Sequence, residues 1–226
     1  MRCKGKGISM KQIAIDGPAG AGKSTIAKRL SAELGYVYID TGAMYRTIAL
    51  YCIRQQADLN DEEKVSSLVA EAELDIRYLD GVQHLFLKDE DVSEAIRTEE
   101  VSKAASRVSQ YPKVREELVR MQRELSEQYD VVMDGRDIGT KVLPDASLKV
   151  YLTASVEVRA ERRYKEYLGK GIACDLEEIK ADIAQRDHND MTREHSPLCK
   201  AEDAVEVDSS NMSVEEVIET IRGLLK

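Results

Sequence analysis

The run Gly17-Pro18-Ala19-Gly20-Ala21-Gly22-Lys23-Ser24 fits the spacing G-x-x-x-x-G-K-[ST] and continues into Thr25. Its glycines let backbone N–H groups converge on phosphate oxygens without side-chain clashes. A helix opening after Gly22 adds the positive end of its dipole to the same anion. Lys23 offers a mobile positive charge to the outer phosphates, and Ser24 a hydroxyl for Mg²⁺. The motif follows an apolar strand and opens a helix, as its mechanism requires. The chemistry implied is binding of a nucleoside triphosphate.

Four further clusters carry groups that hold phosphate or a polar ring. They are Asp40-Thr41-Gly42-Ala43-Met44-Tyr45-Arg46, Asp134-Gly135-Arg136-Asp137, Arg159-Ala160-Glu161-Arg162-Arg163, and the stretch from Arg186 to Arg193. The third cluster sits in a basic segment that also contains Lys165 and Lys170. Taken singly, each has a plain structural reading. An Asp at a strand end caps a turn, and arginines on a charged helix pair with Glu one turn away. Gly135 favours the functional reading for its cluster, because a residue without Cβ permits close backbone approach. His84, His188 and His195 are scattered, and the tyrosines form no stacking ladder for single-stranded nucleic acid. Tyr45, beside Arg46, reads as packing inside its helix.

Alternating elements must position these groups. Ile13–Asp16, Tyr36–Ile39, Val131–Asp134, Leu148–Leu152 and Ala204–Val207 read as short apolar strands. Helices are expected over 22–34, closed by Gly35, over 42–55, and from a cap at Asn60 or Asp61 to Glu73. Further helices are expected over 98–110, 112–128 and 155–168. Two more start at Asp175, with a capping box, and at Ser213, where Ser213-Val214-Glu215-Glu216 caps the terminal helix. Between them, Leu74, Ile76 and Tyr78 alternate with polar residues, Asp80-Gly81 signals a tight turn, and Val82–Leu87 is rich in β formers. Residues 73–96 therefore read as a small antiparallel insertion. The fold class expected is α/β, with a parallel five-stranded sheet covered by helices on both faces.

Composition narrows the function. The chain has 226 residues, with 33 Lys and Arg against 42 Asp and Glu, a net charge of −9. That balance disfavours a nucleic acid polymer as partner, since such binding draws on cations facing phosphates. No apolar run reaches the length of a membrane span. The four cysteines, Cys3, Cys52, Cys174 and Cys199, lack a C-x-x-C pair and read as reduced thiols in a cytoplasmic protein. Residues 1–9 read as a disordered leader, leaving one domain over 10–226. No guanine-selecting N-K-x-D occurs.

Together these motifs resemble the bacterial cytidylate kinases. The phosphate loop, D-T-G-A-M-Y-R at 40–46, D-G-R-D-I-G-T at 134–140 and R-A-E-R-R at 159–163 carry the likeness. So do Ile96-Arg97-Thr98, Val114-Arg115-Glu116 and Ser196-Pro197-Leu198. The resemblance runs from Lys11 to the C-terminus. It implies a monomeric P-loop nucleoside monophosphate kinase with a core, a monophosphate-binding insertion and a helical lid over about 159–175. It implies ATP and CMP or dCMP as substrates, and Mg²⁺. By resemblance, Thr41, Arg115, Asp137 and Arg193 contact cytosine. Ser106, Arg186 and Asp190 hold the sugar, Arg46 and Arg136 the monophosphate, and Arg159 and Arg163 the ATP side, with Arg162 as a further lid candidate. Some members carry Ser at position 41; Thr41 keeps the hydroxyl. Lys23, Arg136, Arg159 and Arg163 are then the catalytic cations.

The chemistry agrees with that implication. A carboxylate such as Asp137 accepts hydrogen bonds from the exocyclic amine of cytosine, where uracil offers only an acceptor. A P-loop kinase for another small phosphorylated acceptor is the alternative, for which the Thr41, Arg115 and Asp137 set would have no cytosine to serve. A nucleotide-driven switch needs one phosphate site and a partner surface, whereas here many arginines gather around a second anion.

Overall fold

The computed structural model describes residues 10–225; the leader expected over 1–9 lies outside the described residues. The chain runs β1 (Gln12–Asp16), α1 (Lys23–Leu34), β2 (Val37–Asp40), α2 (Thr41–Arg54) and α3 (Glu62–Glu71). A small antiparallel sheet follows, of β3 (Leu74–Leu79), β4 (Val82–Leu87) and β5 (Glu90–Asp91). Then come α4 (Glu99–Val108), α5 (Pro112–Gln128), β6 (Val131–Gly135), β7 (Leu148–Thr153), α6 (Val156–Gly169), α7 (Leu176–Thr192), β8 (Val205–Asp208) and α8 (Val214–Leu224).

The five core strands lie in the order β2-β6-β1-β7-β8, every neighbouring pair parallel. Successive residues of the strands feed opposite faces, as the two-residue period requires. Ala14, Ile39, Val131 and Met133 join the core beneath α2, α4 and α5. Ile13, Ile15, Val132, Val150 and Leu152 pack under α1 and α8. Both faces are thus sealed, which explains why the strands read as continuous apolar runs. The class is α/β, as the sequence leads one to expect.

Asp61, not Asn60, caps α3, accepting from Lys64 N–H at 2.9 Å. Asp175 caps α7 through the N–H groups of Glu177 and Glu178. The reciprocal box expected there forms only at Ser213 and Glu216, heading α8. Two features escape the sequence reading. One is the two-residue strand β5, which completes the small sheet. The other is a π-helical turn over Ile138–Val142, directly after Asp137.

The small sheet docks on the open edge of β2. The Tyr78 hydroxyl donates to the Tyr38 carbonyl at 3.1 Å, and Asp40 N–H donates to the Gln83 side-chain oxygen at 2.7 Å. Side chains thereby satisfy the backbone groups of an edge strand that has no further neighbour. The phosphate loop, the start of α2 and the segment after Gly135 leave the carboxyl ends of β1, β2 and β6, where open α/β sheets gather their ligands, while α6 and α7 carry the other two clusters.

Candidate active site

β1 ends at Asp16 and turns sharply into the phosphate loop. A Cβ on Gly17 would lie 2.0 Å from the Leu152 carbonyl oxygen, so only glycine fits beside β7. Gly22 caps α1 with φ 89°, in the left-handed region that glycine enters without penalty. Lys23 is buried and donates to the Pro18 carbonyl at 2.7 Å, curling back over its own loop. Burial, reinforced by Arg136, pulls its ammonium down to about 7. Ser24 Oγ donates to Asp134 Oδ2 at 2.9 Å, and the Tyr38 hydroxyl takes Oδ1 at 2.7 Å.

A cavity of about 540 Å³ opens along this loop, lined by Gly20 to Ile26, Arg159, Arg162, Arg163 and the start of α8. A second, of about 440 Å³, holds all nine residues that the resemblance gives to the acceptor. The two meet at Gly20, Lys23, Ser24, Arg163 and Glu166. Two nucleotides lying in them would bring their phosphates together beside Lys23.

On one side of the second cavity Asp137 pairs with Arg115; both side chains are sealed, at 7 % and 6 % exposure. Arg115 also donates to the Ser109 carbonyl and lies over the Tyr45 ring, its guanidinium carbon 5.6 Å from the centroid. Arg193 Nε donates to the Ser196 carbonyl at 2.7 Å. Its buried NH2 has no hydrogen-bond partner and stands 4.0 Å from Asp137 Oδ1. Thr41 Oγ1 donates to the Asp134 carbonyl at 2.7 Å, so its oxygen faces any ligand as an acceptor only.

The other side of this cavity is cationic. Arg136 Nε pairs with Asp190 at 2.7 Å. Burial opposes the Asp190 charge, but Arg136, Arg186 and Arg193 outweigh it and hold the carboxyl below its ordinary range. Arg186 is half-buried, with its sealed Nε unpartnered; burial and the nearby Arg136 lower it to about 10. Arg46 leans on Asp40, which also accepts from Arg97 at 3.2 Å, and the buried Arg46 Nε is unpartnered too. Unpaired buried donors of this kind are rare in proteins, and here they converge on one space. An anion with several oxygens would satisfy them.

The lid arginines separate sharply. Arg159 is buried and fully engaged, donating to the Ala154 and Ala19 carbonyls and pairing with Asp187 at 2.6 Å. It fastens the phosphate loop to α6 and α7. Arg162 donates to Ser209, at 2.6 Å to its carbonyl. Arg163 has no such partner among the described residues and lines both cavities.

Sequence reasoning missed Asp16 and Tyr38, and named Asp40 and Arg97 only within motif runs, without the pairing of Arg46 and Arg97 on Asp40. Asp16 is buried and pushed up to about 6, chiefly by that burial. It accepts from the N–H groups of Ile138 and Gly139 at 2.8 and 2.7 Å.

The Ser24 hydroxyl and Asp134 carboxylate are hard oxygen donors side by side at the junction of the cavities. That donor set suits Mg²⁺, which takes one or two protein oxygens and the phosphates of its nucleotide. Among the described residues no group of three or more His, Cys, Asp or Glu could hold a metal alone. No helix among them is long and apolar enough to cross a membrane.

Comparison with known proteins agrees with this geometry. The cytidylate kinase family profile matches residues 13–226. A cytidylate kinase of Bacillus thuringiensis (strain Al Hakam) is 52% identical over 213 residues, 94% of this chain and 95% of that one. One from Bacillus cereus (strain AH187) matches to the same extent. Among solved structures, an uncharacterized protein from Eubacterium ventriosum ATCC 27560 superposes with a TM-score of 0.51 at 11% identity. It covers 96% of this chain and 98% of its own, a likeness of fold alone. With this profile match over residues 13–226 and relatives 52% identical across 94% of its length, the chain belongs to the cytidylate kinase family.

Proposed function

We propose that this protein transfers the γ-phosphoryl group of ATP to CMP or dCMP, releasing ADP and CDP or dCDP. It does so as a cytoplasmic monomer serving pyrimidine nucleotide metabolism. The observation that carries the reading is the sealed Asp137–Arg115 pair inside a cavity rich in unpaired arginine donors, next to the phosphate loop.

Base choice follows from the acceptors offered. Asp137 accepts from Arg115, and the Thr41 proton is spent on the Asp134 carbonyl, so both present acceptor oxygens. The exocyclic amine of cytosine carries two N–H groups and can satisfy both. Uracil would set a carbonyl oxygen against them. A site that hydrogen-bonds its substrate this way rejects the wrong ring by orders of magnitude, because its buried groups are then left unpaired. Arg115 orients Asp137, and the free Arg193 NH2 supplies a donor for the ring carbonyl.

The donor nucleotide occupies the cavity along Gly17 to Thr25, and the acceptor sugar lies against Ser106 and Asp190. Ser24 and Asp134 would hold Mg²⁺, which when bound neutralises charge on the outer phosphates. Transfer needs an acceptor phosphate oxygen in line with the γ-phosphorus and the bridging oxygen that leaves with ADP. Negative charge spreads over the equatorial oxygens as the new P–O bond forms and the old one breaks. Lys23, Arg136 and Arg163 stand where that charge develops, Arg46 joins Arg136 on the attacking phosphate, and Arg186 lies with Ser106 and Asp190 along the sugar. Preorganised cations of this kind lower the barrier without moving. Arg159 contributes by fixing the loop backbone from below. Closure of α6 and α7 over both nucleotides would exclude water and so suppress ATP hydrolysis.

The test is ADP release with ATP and Mg²⁺ against CMP, dCMP, UMP, AMP and GMP in parallel. Turnover concentrated on CMP and dCMP supports the reading. Turnover independent of any added monophosphate contradicts it.

A further inference from the structure

Asp16 lies outside both nucleotide cavities, yet its carboxylate joins their walls. It is the last residue of β1, so the phosphate loop begins at the next position. Its residue is 5 % exposed, and its two oxygens are divided between two amides. Oδ1 accepts from Ile138 N–H at 2.8 Å and Oδ2 from Gly139 N–H at 2.7 Å. Those amides open the π-helical turn that follows Asp137 immediately. The turn is closed down tightly on Asp16. A Cβ on Gly139 would lie 3.4 Å from Asp16 Oδ2 and 3.1 Å from the Lys149 stem, and Lys149 is itself buried. Burying a carboxylate costs free energy unless its oxygens are satisfied. Here the only hydrogen bonds that satisfy it, among the described residues, come from the segment bearing Asp137.

We propose that Asp16 is a positioning residue for base selection, acting through Asp137. The proposal rests on the cytidylate kinase reading above and on Asp137 as the group that reads the ring. Arg115 holds the Asp137 side chain, whereas Asp16 holds the backbone on which that side chain is mounted. Two constraints on one carboxylate are what a hydrogen-bond reader needs, because a small displacement costs the discrimination that its geometry supplies. Asp16 also makes the phosphate loop and the base reader one body, so the acceptor ring is registered directly against the donor phosphates.

The experiment compares Asp16→Asn, Asp137→Asn and the double variant in the full-length protein. Asparagine keeps the size of Asp16 but turns an NH2 group toward one of the two amides. The CMP-to-UMP ratio of kcat/KM is expected to fall about tenfold in Asp16→Asn through a higher KM for CMP. ATP affinity measured calorimetrically without acceptor stays within about twofold of wild type, as a site acting elsewhere requires. The double variant discriminates no worse than Asp137→Asn alone. A purely structural role would lower both affinities together and add to the Asp137 effect. An unchanged ratio in Asp16→Asn, beside a collapsed ratio in Asp137→Asn, overturns the inference and leaves the acceptor reading standing. An unchanged ratio in Asp137→Asn removes that reading, and the inference with it. If Asp16→Asn does not fold, amide exchange in the wild-type protein decides. Exchange at Ile138 and Gly139 that is slower under saturating CMP than under saturating UMP supports the role, and equal protection overturns it.

Discussion

Arg115 and Asp137 form an ion pair in which neither side chain reaches solvent beyond 7 %, on the wall of the cavity of about 440 Å³ beside the phosphate loop. A pair so placed has given up its hydration on both sides, so removing one partner strands the other. Arg115→Met should therefore cost about 3 kcal/mol of stability, since Arg193 at 4.0 Å offsets part of the stranded charge. Urea unfolding of the variant reads this directly. A loss below about 0.5 kcal/mol would mean that Asp137 is held by something else.

Arg136 lines the second cavity and pairs with the Asp190 carboxylate at 2.7 Å. Arg136→Met removes charge that acts on the transferring group, and kcat should fall by about 10² to 10³ with the fold retained. Arg136→Lys keeps the charge but loses the planar fork, and should recover only part of the rate. Wild-type turnover in Arg136→Met would sink the role assigned to it.

Two lid arginines one helical turn apart should behave differently. Arg159 is spent on Ala154, Ala19 and Asp187, so Arg159→Ala leaves a buried carboxylate without its partner and lowers stability by about 3 kcal/mol. Arg163 has no such duties, and Arg163→Ala should leave the melting temperature within about 2 °C while lowering kcat. Thermal melts beside steady-state kinetics separate them; equal behaviour contradicts the division.

Lys23 gives a pH signature. Burial and Arg136 lower its ammonium from an ordinary value of 10.5 to about 7 in the free protein. Between those values the folded protein binds fewer protons than the unfolded chain. The cost of keeping Lys23 charged is thus fully present below about pH 7 and fades as pH rises toward 10.5. A triphosphate beside Lys23 restores the charge. ATP binding at pH 8 should take up a proton, approaching about one per nucleotide, and at pH 6 almost none. Calorimetry in two buffers of different ionisation enthalpy measures it, and pH-independent uptake would contradict the placement of Lys23.

Gly135 ends β6 on the wall of the second cavity. A Cβ there would meet Ile138 Cδ1 at 2.6 Å and Thr41 Oγ1 at 2.8 Å. Gly135→Ala should cost about 1–3 kcal/mol and raise KM for CMP by displacing Thr41, with ATP affinity little changed.

The sheet was legible because parallel strands buried on both faces read as unbroken apolar runs, and the phosphate loop because its spacing is its mechanism. That nine residues from Thr41 to Arg193 line one cavity was legible only through motif likeness, since they are spread over five separate segments and no local pattern links them. The two-residue β5, Glu90–Asp91, has no apolar content to announce it. The π-helical turn depends on Asp16, 122 residues away from Ile138 in sequence. Arg159 and Arg163 look alike on a helix, and only the positions of the Ala19 and Ala154 carbonyls and of Asp187 tell them apart. A polar residue ending an apolar strand, as at Asp16, was the one signal that the sequence offered and that went unused.

Base discrimination is the central claim, and parallel kcat/KM measurements with CMP and UMP at saturating ATP and Mg²⁺ test it most directly. The Asp137 and Thr41 acceptors require CMP to be preferred by at least about 10²-fold, the scale on which unpaired buried polar groups reject a substrate. Comparable kcat/KM for the two pyrimidines would contradict the account of the acceptor site.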